Sequence, residues 1–189
     1  FLMPSIKTIL LLIACLLINK VYSQNTCITK EEKRLYDLIN EYRKENGLAK
    51  IPLSVSLTIV AQAHVKDLQD NQPVKGDCNL HSWSGKGKWK SCCYTDDHAK
   101  ATCMWNKPSE LTNYKGYGFE IACQGFDSDK ALSAINMWKD SSPHNAVILN
   151  SGQWKTTEWK AIGIGIYGDY AVIWFGKEED ADGEPSVCK

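Results

Sequence analysis

The sequence predicts an α/β fold, a three-layer α-β-α sandwich with a mainly antiparallel central sheet. Two observations lead to this prediction. Apolar residues recur at helical spacing in the first third of the chain and again over 128–140, and two short, wholly apolar segments follow over 161–175. Strands without a polar face must be covered on both sides, and the predicted helices are available for both covers.

The first two helices have clear start signals. Thr29 opens a T-x-x-E capping box, and the helix that follows ends before Gly47. Its apolar face is formed by Leu35, Leu38, Ile39 and Tyr42. A second helix begins at Ser54 or Ser56, and His64 lies on its apolar stripe.

The middle of the chain is less regular. Residues 71–118 lack a sustained period and are rich in cysteine, glycine and tryptophan, which is typical of a functional or disulfide-stapled loop. A third helix is predicted over 128–140, and a short fourth one opens at Ser142-Pro143. Strands over 161–167 and 170–175 are then joined by a two-residue turn.

The ends of the chain are predicted to differ from the domain between them. Residues 1–23 have the features of a signal peptide, since the apolar run over 8–18 is too short to span a bilayer, which takes about 20 residues. Cleavage after residue 23 would leave a secreted, extracellular protein without a membrane span. The predicted domain covers 24–176, and an acidic tail over 177–189 is expected to be loosely held except where Cys188 pins it.

Charge and composition exclude some classes of protein. Lys plus Arg equals Asp plus Glu, at 22 each, so nothing favours a nucleic-acid partner. Apolar residues at 43% and charged residues at 23% are ordinary for a globular domain and argue against disorder.

Cysteines indicate an oxidising compartment. Seven of the eight lie beyond the predicted signal peptide, and they should mostly pair in a secreted protein. The odd number leaves one cysteine free or bonded to another chain. Cys92 and Cys93 are expected to bond elsewhere, because a bridge between neighbours strains the peptide. Cys27 and Cys188 could tie the two ends together, and no CxxC pair supports the rival thiolate zinc site.

Four histidines and one carboxylate are candidates for chemistry. His64 is expected to be a core residue bonded to backbone, and His98 to be solvated. His81 lies in the irregular region, near glycines and tryptophans. His144 lies at a helix N-terminus, which favours a neutral ring. Glu120 stands among apolar neighbours and needs a partner there or a raised pKa. We hypothesise that His81, Glu120 and His144 converge in one cleft, although no local spacing enforces this.

Several motifs resemble those of the CAP superfamily, the secreted SCP or pathogenesis-related-1 type of domain. The resemblance runs from about 29 to 176 and rests on the order of its motifs and on the closing hairpin. These motifs are Asn79-Leu80-His81-Ser82, Gly118-Phe119-Glu120-Ile121-Ala122, Trp138 to Asn150, and Val172-Ile173-Trp174-Phe175-Gly176.

The resemblance implies the α-β-α sandwich and a cleft with two histidines and up to two acidic residues, which binds zinc (Zn²⁺) or another divalent ion in some members. The chain departs from the pattern where Ser141 stands at the second acidic position, with Asp140 one residue away. An insert over 85–117 is expected to form a cleft rim. The sequence has no cysteine-rich C-terminal extension, and this argues against a channel-blocking role of the kind found in some relatives.

Two main functions compete at this point. The first is a secreted binding or effector module, in which His81 and His144 bind a divalent metal ion and a separate groove holds a lipid or sterol. The alternative is a zinc-dependent, peptidase-like hydrolase with Glu120 as the catalytic general base. Two histidines are one ligand short of the usual catalytic zinc site. A nucleophilic Ser82 beside His81 is a weaker option, since chain neighbours tend to diverge.

Overall fold

The computed structural model describes residues 26–189, so the predicted signal peptide lies outside the described residues. Three antiparallel strands form the central sheet. They are β2, Gly118–Gln124, β3, Ala161–Tyr167, and β4, Tyr170–Gly176. Their order in the sheet is β2-β4-β3. A short parallel pair joins β1, Cys27–Ile28, to β5, Ser186–Val187.

Helices cover both faces of the central sheet, as predicted. Helices α1 (Lys30–Glu45) and α5 (Lys130–Asp140) pack on one face, and α2 (Val55–Asn71) packs on the other. Shorter helices are α3, Ala101–Trp105, α4, Lys107–Leu111, and α6, Ser142–Ile148. None of the helices within 26–189 combines the length and apolarity that a membrane span requires.

Local signals in the sequence place most of these elements correctly. The Thr29 capping box is present, and the Ser54 side chain caps α2. Helix α5 begins two residues later than predicted, because Asp129 accepts the hydrogen bond from the Leu132 amide and acts as its cap. The irregular region contains α3 and α4, which the apolar pattern did not reveal.

Glycines in β3 allow α2 to pack directly on the sheet. A Cβ atom at Gly163 would overlap the backbone of Leu57, and one at Gly165 would overlap the backbone of Ala61. The alternation of isoleucine and glycine in this strand therefore places the two residue types on opposite faces of the sheet. Isoleucines fill the α1 side, and glycines make room for a helix backbone on the α2 side.

Three disulfides staple the described chain. They are Cys27–Cys188, Cys78–Cys93 and Cys92–Cys103, and Cys123 is the free cysteine of the described residues. The predictions that the ends are tied together and that Cys92 and Cys93 bond elsewhere are confirmed. Two bridges lie in the irregular region, where they restrict the unfolded chain and so stabilise a segment with little regular secondary structure.

The C-terminal tail is more firmly held than predicted. Asp180 accepts hydrogen bonds from the Ser54 hydroxyl at 2.6 Å and from the Ser56 amide at 2.7 Å, at the N-terminus of α2. The Tyr114 hydroxyl donates to the carbonyl oxygen of Glu178 at 2.6 Å. The expectation of a loosely held tail was wrong, because a carboxylate at a helix N-terminus is favoured by the unsatisfied amides there.

Candidate functional site

Glu120 lies in β2 and points to the α2 side of the sheet. It pairs with Trp174 of β4 in the antiparallel register, while its neighbour Ile121 belongs to the core on the opposite side. The alternation of side chains along β2 therefore places Glu120 and Ile121 on opposite faces of the sheet. The carboxylate side chain is completely buried, so it requires partners that compensate for the loss of water.

Two histidines supply these partners. The His64 Nδ1 atom lies 2.5 Å from Glu120 Oε1, and the His81 Nδ1 atom lies 2.8 Å from Glu120 Oε2. Helix α2 positions His64, and the turn that follows Asn79 positions His81. Burial alone would raise the pKa of Glu120, but the two imidazoles hold it below its usual value.

The hydrogen bonds define the protonation of the two rings. His64 Nε2 lies 3.0 Å from the Ser82 carbonyl oxygen, so both nitrogens of His64 face acceptors. A neutral His64 ring can donate to only one of these acceptors, whereas a doubly protonated ring can donate to both. His81 needs a proton only on Nδ1, which leaves the lone pair of its Nε2 atom free when the ring is neutral.

Aromatic rings enclose the contact between His64 and Glu120. His64 stacks on Trp83 with ring centroids 4.1 Å apart and planes 6° from parallel, and Trp174 contacts its edge. Tyr94, which belongs to the insert, packs edge-on against His81 at 5.2 Å. The stacked indole of Trp83 therefore fixes the plane of the His64 ring, and with it the direction of its two nitrogen atoms.

His144 lies in the first turn of α6 and is partly buried. Its Nδ1 atom is buried and has no hydrogen-bond partner among the described residues. Burial lowers the pKa of His144, and the positive charge that His81 can carry lowers it further. His144 therefore favours a neutral ring, and it lies close enough to His81 for the two charges to interact.

Other candidate groups do not join the site. Asp140 is exposed at the end of α5, so it does not replace the acidic residue that Ser141 lacks. The Ser82 hydroxyl is engaged with the backbone of Tyr94, at 2.9 Å from its amide nitrogen, rather than with His81. His98 is exposed, as predicted, although its ring also contacts the Tyr94 hydroxyl at 2.8 Å.

Sequence reasoning missed the main partner of Glu120. His64 was expected to bond to backbone, and its bond to Ser82 confirms this, but its ion pair with Glu120 was not predicted. The available signal was a single polar residue on an apolar helix face. It could not reveal the partner, because the two residues lie 56 positions apart.

Two cavities lie outside this histidine site. The larger has a volume of about 710 Å³ and is bordered by residues 106–119 and by Lys177 and Glu178. The smaller has a volume of about 520 Å³ and lies between the end of α1 and residues 150–160. The insert therefore borders the larger cavity as well as contacting His81 through Tyr94.

These features agree with the relatives of the chain. The model of the cysteine-rich secretory protein (CAP) family matches residues 36–172, and the chain belongs to this family. Comparison with curated proteins gives no match. The resemblance inferred from the motifs is thereby confirmed.

Solved structures share the fold at low sequence identity. An extracellular protein containing a SCP domain from Bacillus anthracis str. Ames is 16% identical, with a TM-score of 0.54 over 78% of this chain and 40% of that chain. An outer surface protein from Borrelia burgdorferi is 19% identical, with a TM-score of 0.55 over 79% of this chain and 94% of that chain.

A third solved structure is a cysteine-rich secretory protein from Staphylococcus aureus subsp. aureus Mu50. It is 19% identical, with a TM-score of 0.51 over 78% of this chain and 38% of that chain. The chain thus spans about 40% of the Bacillus and Staphylococcus proteins. At these identities the likeness shows the α-β-α fold and nothing about ligands.

Proposed function

We propose that the protein is a secreted, extracellular binding module whose site is the His81–His144 pair, and that this pair binds a divalent metal ion such as zinc. The observation that carries the proposal is the contact between His81 Nδ1 and Glu120. A carboxylate that accepts from one imidazole nitrogen orients the ring and makes the other nitrogen a better ligand. The disulfides support the proposed location, since they persist in oxidising compartments.

The donor set fits a partial metal site. His81 offers Nε2, and the buried Nδ1 atom of His144 has no partner within the described residues. However, no group of three or more His, Cys, Asp or Glu side chains among residues 26–189 is arranged to hold a metal ion. The remaining ligands of zinc, which is usually four-coordinate, would come from water or from the bound molecule.

His64 and Glu120 act as positioning residues in this proposal. The buried ion pair fixes the carboxylate, and the carboxylate fixes the His81 ring. His144 is held neutral by its burial, which keeps a lone pair available. A metal bound here would link a ligand to two elements, the loop at His81 and the start of α6.

This arrangement favours binding over hydrolysis. Both oxygens of Glu120 already contact histidines and its side chain is fully buried, so it is poorly placed to take a proton from a bound water. The zinc-dependent hydrolase with Glu120 as general base stays a prediction without further support. A lipid or sterol ligand also stays a prediction, for which the aromatic residues Tyr117 and Phe119 of the larger cavity offer some apolar surface.

Calorimetric titration with zinc tests the proposal. The wild-type protein should bind one zinc ion per chain, and His81→Ala or His144→Ala should weaken binding by at least about tenfold, which corresponds to 1.4 kcal/mol. The control is His98→Ala, which removes an exposed histidine outside the pair and should leave the affinity unchanged. Circular dichroism checks that each variant is folded.

Two outcomes would contradict the proposal. One is a wild-type protein that binds neither zinc nor copper. The other is metal uptake that persists in the double variant His81→Ala, His144→Ala. Turnover of a peptide library that requires zinc and is lost in Glu120→Gln would instead support the hydrolase.

A further inference from the structure

The smaller cavity, of about 520 Å³, has an unusual set of charges. Its cationic residues are Arg43, Lys50, Lys155 and Lys160, and its carboxylates are Glu158 and Glu179. The remaining polar and apolar lining includes Asn150, Thr157 and Trp159. The cavity therefore has two more positive than negative groups, whereas the whole chain has equal numbers of both.

Arg43 is a buried cation without a counterion. It is only 4% exposed and lies in the last turn of α1. Its Nε atom donates to the Ala49 carbonyl oxygen at 3.0 Å, and its Nη1 atom donates to the Ile148 carbonyl oxygen and to Asn150 Oδ1 at 2.5 and 2.6 Å. Within 26–189 its Nη2 atom makes no hydrogen bond and no carboxylate pairs with the guanidinium.

This arrangement leaves the Nη2 atom of Arg43 without a hydrogen-bond partner in the described part of the chain. Burial lowers the pKa of Arg43 to about 10, which reflects the cost of holding its charge away from water. Oxygen atoms of the protein satisfy Nε and Nη1, and those of Ile148 and Asn150 tie α1 to the end of α6 and the residues after it. The free Nη2 group belongs to a side chain that lines the cavity, so a ligand there could complete its hydrogen bonding.

The lysines around the cavity are also unpaired. Lys155 is exposed and Lys160 is partly exposed, and neither forms an ion pair with Glu158 or Glu179 in the described part of the chain. The Lys50 ammonium lies 5.3 Å from the Tyr36 ring rather than beside a carboxylate. Unpaired cations that surround one hollow repel each other and attract an anion.

We propose that this cavity binds a phosphate or sulfate group of a small molecule or a lipid headgroup. The Nη2 group of Arg43, which makes no hydrogen bond within the described residues, can donate to the oxygens of a tetrahedral oxyanion, while Nε and Nη1 hold the guanidinium in place. Lys155 and Lys160 provide mobile charges at the rim. The volume is within the usual range for small-molecule sites, about 300–1,000 Å³, so it has room for an organic part beyond the oxyanion itself.

Titration of the full secreted chain with inorganic phosphate tests this site. Binding is measured by calorimetry at low ionic strength, where charge interactions are least screened. The double variant Lys155→Gln, Lys160→Gln should bind phosphate at least tenfold more weakly than the wild-type protein. Both side chains reach solvent, so their replacement leaves the fold intact, whereas Arg43→Lys tests the buried fork separately.

A charge-matched control distinguishes the cavity from general attraction. Lys75→Gln, Lys86→Gln removes two exposed lysines that do not line the cavity, and it should leave phosphate affinity unchanged. Vesicles of phosphatidylcholine with and without phosphatidic acid separate a lipid headgroup from a free phosphate ester. Binding of free phosphate or of the phosphatidic acid vesicles that only the cavity variant weakens supports the proposal.

Two results would overturn it. The first is equal loss of affinity in the cavity variant and in the control, which would mean diffuse electrostatic attraction. The second is the absence of binding to phosphate, to sulfate and to phosphatidic acid vesicles. Neither result depends on the histidine pair, so this site and the proposed metal site can fail independently.

Discussion

The two faces of the central sheet are built in opposite ways. On the α1 side, isoleucines of all three strands interdigitate with the apolar residues of α1 and α5, including the fully buried Trp138. On the α2 side, β3 presents Gly163 and Gly165, and a buried ion pair replaces part of the apolar core. Large apolar side chains fill the first face, whereas the glycines of the second face leave space for the backbone of α2.

This difference explains where the site lies. A helix that packs backbone-to-strand on glycines brings His64 down to the sheet, where Glu120 can reach it. A sheet face filled with isoleucine would hold the helix farther away. The face with less apolar packing is therefore the one that can position polar groups, and it depends on those groups for its stability.

The largest effect should come from Gly163→Val. The new side chain would meet the Leu57 backbone, which cannot move without displacing α2. We expect the free energy of unfolding to fall by at least about 3 kcal/mol, since overpacking against backbone has no easy relief. Urea denaturation measures the change.

Gly85→Ala is the matched control, because a Cβ at that position meets only the Ser91 Cβ atom at 3.8 Å. It should change stability by less than about 0.5 kcal/mol. Equal stability of the two variants would mean that α2 does not pack closely on Gly163. The proposed difference between the two faces would then be wrong.

Glu120→Ala should have the next largest effect. It leaves the Nδ1 atoms of His64 and His81 without their shared acceptor in a buried site, so we expect a loss of about 2–4 kcal/mol at neutral pH. The matched change on the other face, Ile121→Val, removes one methylene group and should cost about 1 kcal/mol. Urea denaturation of both variants compares a polar and an apolar position on the same strand.

Acid should reveal the same ion pair. The pKa of Glu120 is lowered in the folded protein, so the unfolded chain binds the proton first. Its contribution to stability is complete above the unfolded pKa, near 4.5, and is lost as the pH falls through the folded value. A Glu120→Ala variant with the same acid dependence as the wild-type protein would contradict this assignment.

The effect that is smallest at neutral pH, and that grows only in alkali, concerns Cys123 on the α1 side. Burial raises the pKa of this thiol to about 12, so the unfolded state loses its proton first as the pH rises. Stability is unaffected below the unfolded pKa and should then fall by about 1.4 kcal/mol per pH unit until the folded value is reached. The Cys123→Ala variant should lack this part of the alkaline slope.

Thiol labelling provides an independent measurement. The folded protein should resist a thiol reagent at neutral pH, because Cys123 is buried and protonated, and it should react after unfolding in urea. Rapid labelling of the native protein would show that the α1 face opens more readily than its packing indicates. Together these experiments assign the acid response to one face and the alkaline response to the other.

Local signals predicted the secondary structure well, and the histidine site only in part. Capping residues and helical spacing identified α1, α2 and α5, and the Gly168-Asp169 turn identified the hairpin of β3 and β4. The meeting of His81 and Glu120 was hypothesised from the residue types and reinforced by the family resemblance, since no local spacing enforces it. The ion pair with His64 was missed, because a histidine on an apolar stripe has no sequence feature that distinguishes a core residue from a charged one.

The sequence by itself determined the main helices, the closing hairpin, the apolar faces and the family, because each depends on neighbours within a few turns of chain or on the order of motifs. Only the tertiary structure decided that Arg43 is left without a counterion, that Asp180 binds the N-terminus of α2, and that His64 is paired with Glu120. These outcomes depend on distances between residues far apart in the chain. The physical reason is that the burial of a side chain and the charges near it depend on its neighbours in space. Those neighbours come together only when the layers pack.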